Sequence, residues 1–136
     1  MDILTAFENI NWLSVVIAAI ASFIVGGVWY GPLFGRVWME AFGFTKTELE
    51  KRNTAKIFGL SFILSCIAAL ILEMFIGQEA DIVFGTIAGF FVGFGWVATF
   101  LGILYLFEGQ RFKAYLINAG YCMITFTLMG LILGAW

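Results

Sequence analysis

ASFIVGGVWYGPLFG, residues 21–35, and AGFFVGFGWVATFLG, residues 88–102, match without a gap as A-x-F-x-V-G-x-x-W-x-x-x-x-x-G, at an offset of 67 in a chain of 136 residues. Both strings lie in long apolar stretches. A row of small residues precedes each tryptophan: Ala18, Ser22 and Gly26 recur at the same offset as Gly85, Gly89 and Gly93. Residues four apart share one helix face, and small residues at that spacing let backbones approach closely in lipid. The match therefore predicts two tandem halves, each contributing a helix with a packing ridge. The first and third spans are expected to run in the same direction and to pair at the core through those ridges, about an axis along the membrane normal.

Composition places the chain in lipid. With 62% hydrophobic and 12% charged residues and a mean hydropathy of +1.02, it is far more apolar than a soluble domain, in which about half the residues are apolar. A helix crosses the hydrocarbon with about 20 apolar residues. Four stretches qualify, near 10–31, 56–76, 82–107 and 113–135, so the expected fold is an all-α membrane protein: a single four-helix transmembrane domain over 1–136, arranged as two parallel 2+2 pseudo-repeats. Strands of a closed barrel alternate apolar and polar residues, whereas Val15 to Ile20 and Ile67 to Leu72 are unbroken apolar runs.

The charges are sorted by segment. All seven Lys and Arg lie in two connections: Arg36, Lys46, Lys51, Arg52 and Lys56 between the first and second stretches, and Arg111 with Lys113 between the third and fourth. Asp2 and Glu8 precede the first stretch, and Glu79 and Asp81 separate the second from the third. By the positive-inside rule, both termini face out and the loops 32–55 and 108–112 are cytoplasmic.

Trp29-Tyr30-Gly31-Pro32 predicts a break at the end of the first span. Beyond it Leu33, Phe34, Val37, Trp38, Ala41 and Phe42 recur at helical spacing around Arg36 and Glu40, the pattern of an amphipathic helix lying in the interface over about 33–42. Thr45 and Glu48 form a T-x-x-E capping box, read as the start of a helix that continues into the second span.

Asn11-Trp12-Leu13, the string Trp29-Tyr30-Gly31-Pro32-Leu33-Phe34-Gly35 and Trp38 resemble the signature of a family of small bacterial membrane proteins catalogued as domain of unknown function seventeen sixty-one. The resemblance implies four helices, a multi-pass protein of the bacterial cytoplasmic membrane, and no assigned activity.

Chemistry is sparse. The chain has no histidine and two cysteines, Cys66 and Cys122, which fall near mid-membrane and read as free thiols. No nucleophile–base pair and no metal set can be assembled, so neither an enzyme nor a cofactor is expected. The basic connection mixes five positive with three negative residues, which suits anionic lipid headgroups and not nucleic acid. Ionisable residues within spans are functional candidates by default. Glu73 lies near the acidic end of the second span, at the depth of Asn11 and Ser14, and these three are expected to form one polar cluster. Trp29 and Trp96, with Tyr30 and Tyr105, are expected to wall a pocket at the other end. Asn118, an amide deep in the fourth span, is expected to bond to a neighbouring helix or to a ligand.

Two functions follow. In the first, a small transporter or channel-like homo-oligomer carries a solute past Glu73, Asn11 and the two tryptophans. In the second, a non-catalytic scaffold or lipid-binding module works through its basic interfacial helix. A continuous polar cavity from Glu73 to the tryptophans favours the first; a packed core with polar groups at its rims favours the second.

Overall fold

The computed structural model describes residues 2–136. It is helical, and four of its helices are long and apolar enough to cross a membrane: Trp12–Leu33, Thr54–Ile76, Ile82–Glu108 and Phe112–Ala135, called here the first to fourth spans. Three begin on a side-chain cap. The carboxamides of Asn11 and Asn53 and the carboxylate of Asp81 accept from the backbone N–H of Ser14, Lys56 and Phe84, satisfying donors that a helix start leaves unpaired. The spans alternate in direction. One end of the bundle holds the Lys- and Arg-rich connections, the basic end; the other holds Asp2, Trp136 and Glu79 with Asp81, the acidic end.

The fourth span is the hub. The third packs along it through glycine against glycine: a Cβ at Gly85 would run into the Gly130 carbonyl oxygen and lie 2.9 Å from Gly134 Cα, and one at Gly93 would lie 3.0 Å from Met123 Cα. Contact is backbone to backbone, as small residues permit in lipid. The first span docks on another face of the same helix. Gly26 faces the Tyr121 ring, the Tyr121 hydroxyl donates to the Ser22 carbonyl at 3.3 Å, and Ala18 joins Met129 in the buried core.

The expected pairing of the first and third spans is therefore corrected. Both small-residue ridges, Ala18/Ser22/Gly26 and Gly85/Gly89/Gly93, are used, but each turns to the fourth span and the two do not form a packed pair. The fourth span has its own small residues to receive them, Gly130 and Gly134 on the third-span side and Gly120 beside Trp29. A ridge shows that a close partner exists without showing which helix it is.

Two local expectations also change, and one local feature is new. The chain does not break at Gly31-Pro32. The first span ends in a widened turn over Trp29–Leu33, in which the Phe34 N–H reaches back five residues to the Trp29 carbonyl at 2.8 Å. The helix path turns only at Phe34, with φ −125° and ψ 6°. A second widened turn, Gly93–Ala98, interrupts the third span. Each copy of the duplicated string thus carries a widened turn containing its tryptophan, a feature often found at functional positions. Finally, the capping box on Thr45 and Glu48 is formed, but its helix, Lys46–Glu50, stops there. A new helix starts at Thr54 on the Asn53 cap, so the second span is a separate element.

The helix after the first span covers Gly35–Phe42 and ends on Gly43 at φ 72°, a left-handed conformation open to glycine at little cost. Its aromatic face folds back on the bundle. Trp38 packs edge-on to Tyr30 at 5.6 Å, and Phe42 edge-on to Tyr105 at 6.2 Å.

Candidate ligand cavity at the basic end

The first and second spans converge at the acidic end and part towards the basic end. Val15, Ala18, Ala69 and Leu72 close the converging half, with Met129 and Leu133 of the fourth span behind them. On the other side of this plug a cleft of about 730 Å³ opens, within the range of small-molecule sites. Its first-span wall has Gly26, Gly27 and Gly31 between the rings of Phe23 and Tyr30; its second-span wall carries Phe58, Ser61 and Ser65; the Tyr121 ring closes the back. A Cβ at Gly27 or Gly31 would meet nothing within 4 Å, so these glycines border open space, whereas Gly26 packs on Tyr121.

The cleft is mainly apolar with hydroxyls set into it. Ser22 is buried and donates to the Ala19 carbonyl at 2.6 Å. Tyr30 donates to Asn118 Oδ1 at 2.6 Å, and Asn118 Nδ2 donates to the Tyr105 hydroxyl at 2.6 Å. This chain of bonds ties the first, fourth and third spans together and fixes the Tyr30 ring at the mouth of the cleft. Trp29 is fixed in the same way: its Nε1–H donates to the Ile117 carbonyl at 2.9 Å, and its ring lies where a Gly120 side chain would be.

Asn118 and the pair Tyr30 and Tyr105 thus meet, but the two tryptophans do not share a pocket. Trp96 is 62% exposed and lines a separate apolar groove of about 360 Å³ between the second and third spans, beside Ala68 and Phe75. The reason is the hub arrangement: helices docked on different faces of the fourth span turn equivalent residues in different directions.

The acidic-end cluster exists in altered form. Glu73 is buried, 8% exposed, and accepts from the Asn11 backbone N–H at 3.4 Å. The Asn11 side chain is occupied in capping the first span, accepting from Ser14 N–H at 3.2 Å, while the Ser14 hydroxyl donates to the Asn11 carbonyl at 2.8 Å. Asn11 Oδ1 and the Ser14 hydroxyl are thus engaged within the helix start, and the bond that joins Asn11 to Glu73 comes from its backbone N–H. Glu73 instead faces a cavity of about 500 Å³ whose other walls include Asp2, Asn9 and Glu79. The packed plug lies between this cavity and the basic-end cleft.

The cleft was only partly visible in sequence. In sequence Ser61 and Ser65 are simply two small residues at four-residue spacing within the second span, and Tyr121 belongs to no motif. The available signal was that Ser22 and Gly26 on one span share the four-residue spacing of Ser61 and Ser65 on the next, two small-residue faces able to oppose each other and leave space.

A family model described as "Protein of unknown function (DUF1761)" matches residues 13–134. No curated protein and no solved structure matches the chain.

Proposed function

The chain belongs to the DUF1761 family, a multi-pass membrane family without an assigned activity, and from that premise we propose that it is a non-catalytic module that binds an amphipathic, lipid-like molecule in the cleft between its first and second spans. The observation that carries this reading is the cleft itself: about 730 Å³, apolar, walled by glycines and aromatic rings, with the hydroxyls of Ser61, Ser65 and Tyr121 around it. Sites of this type take apolar bodies and orient them with a few polar groups.

Transport by a single copy would need a polar route joining the Glu73 cavity to the cleft. Val15, Ala18, Ala69 and Leu72, each at most 4% exposed, occupy that position instead, which favours binding over passage. The charge pattern supports an orientation with both termini outside and the basic end in the cytoplasm, so the cleft would draw its ligand from the inner leaflet.

The test is retention of phospholipid by the purified protein in native mass spectrometry. Gly27→Phe puts a ring into the cleft from a position where an added Cβ meets nothing within 4 Å, and Gly95→Phe, at a position equally open to a Cβ, is the control on the third span. Bound lipid is expected on the wild type and Gly95→Phe and to be lost from Gly27→Phe. Equal retention by all three overturns the reading.

A further inference from the structure

We infer that the ligand's headgroup is a phosphate, held by Arg36 and Lys46 in a second cavity that adjoins the cleft. This deepens the function proposed above and rests on it. At the basic end Tyr30 and Gly31 belong to two cavities at once: the cleft, and a space of about 660 Å³ lined by Arg36, Glu40, Gly43, Thr45 and Lys46. The two therefore adjoin at the widened turn that closes the first span, with Tyr30 and Gly31 as their common wall. One compartment is apolar with hydroxyls; the other carries two cations, a carboxylate and a hydroxyl. That division matches a molecule with a hydrocarbon tail and a polar head.

The chain path makes this second space. Phe34 turns the backbone out of the span, the helix Gly35–Phe42 runs along the end of the bundle, and Gly43 at φ 72° sends the chain back towards Thr45. Arg36 on the helix and Lys46 on the returning segment thus line one space from two sides. Arg52 does not line this space; its guanidinium stands 4.8 Å from the centre of the ring of Phe44, another residue of the wall.

Guanidinium and ammonium groups recognise phosphate oxygens with charge-assisted hydrogen bonds, and basic pockets beside spans bind anionic headgroups. Glu40 in the same wall accepts from donors, so it suits a headgroup bearing hydroxyls next to its phosphate. Phosphatidylglycerol has that chemistry; phosphatidylcholine lacks the donors and diacylglycerol lacks the phosphate.

The experiment measures retention of these three lipids by native mass spectrometry on the wild type, on Arg36→Gln/Lys46→Gln and on Gly27→Phe, with inorganic phosphate as a competitor. Both basic residues are exposed, and undiminished diacylglycerol retention shows that the double variant is folded. The wild type is expected to prefer phosphatidylglycerol to diacylglycerol by about 10–30-fold, as two basic groups near an anionic lipid imply, and the double variant to lose that preference alone. Equal retention of the two lipids by the wild type, or an unchanged preference in the double variant, overturns the headgroup assignment while leaving the cleft reading intact. Retention of phosphatidylglycerol that survives Gly27→Phe overturns both. Inorganic phosphate binding as strongly as the lipid, independently of Gly27→Phe, overturns the lipid as the source of the phosphate.

Discussion

Replacing Gly130 by alanine adds one methyl group at the tightest contact in the bundle. The new Cβ would run into the Gly85 carbonyl oxygen and stand 3.0 Å from Gly89 Cα. Both neighbours are backbone, so no side chain can swing aside, and the third span must move away from the fourth along much of their shared length. Forcing extra carbon into a close-packed site costs about 1–3 kcal/mol. Alanine also favours helix over glycine by about 1 kcal/mol, which opposes the clash, so the contrast with an unobstructed glycine is the cleaner quantity. Gly27 and Gly95 have nothing within 4 Å of an added Cβ. Gly27→Ala and Gly95→Ala are expected to be neutral or slightly stabilising, and Gly130→Ala to be less stable than either by about 1–3 kcal/mol, about 5–150-fold in the unfolding equilibrium. Reversible unfolding in mixed detergent and SDS micelles, followed by tryptophan fluorescence, reads this difference. Equal stability of all three variants would refute the glycine-to-glycine packing of the third span on the fourth.

Two further predictions concern the hydrogen bonds at the basic end and the orientation of the bundle. Tyr30→Phe and Asn118→Leu, singly and together, should show a coupling of about 0.6–1.7 kcal/mol in the same unfolding assay, the range of interhelical hydrogen bonds in membranes; additive effects would mean that the bond between the two side chains contributes nothing. For orientation, Cys66 and Cys122 are replaced by alanine and single cysteines introduced by Lys46→Cys or Glu79→Cys. A membrane-impermeant thiol reagent outside intact cells should label the Glu79→Cys protein and spare Lys46→Cys, and the opposite pattern would invert the proposed topology.

The number of spans was legible because it depends on apolar length, which 62% hydrophobic residues in four blocks make unmistakable. The small-residue ridges were legible as surfaces, and the capping box on Thr45 and Glu48 as a helix start, because both are local. Partner choice was not legible. Gly85, Gly89 and Gly93 could have met any helix with small residues, and Gly130 and Gly134 won through their antiparallel register with them. Pro32 misled for a different reason. Proline lacks an N–H and breaks the regular ladder, but a widened turn redirects the bonds, and Phe34 N–H pairs with Trp29 five residues back. The site was least visible. Glu73 and Asn11 do meet, yet through a backbone N–H, and a cleft made by the divergence of two helices leaves little mark in either sequence beyond glycine and serine at matching spacing.

Cross-linking the protein in vesicles to phosphatidylglycerol with a photoreactive diazirine on its acyl chain tests the binding reading most directly. The account predicts adducts concentrated on residues 57–65 and 22–31, the two walls of the cleft, and their loss in Gly27→Phe. Adducts spread evenly over lipid-facing side chains such as Phe91 and Phe100, 63% and 64% exposed, and unchanged by Gly27→Phe would contradict it.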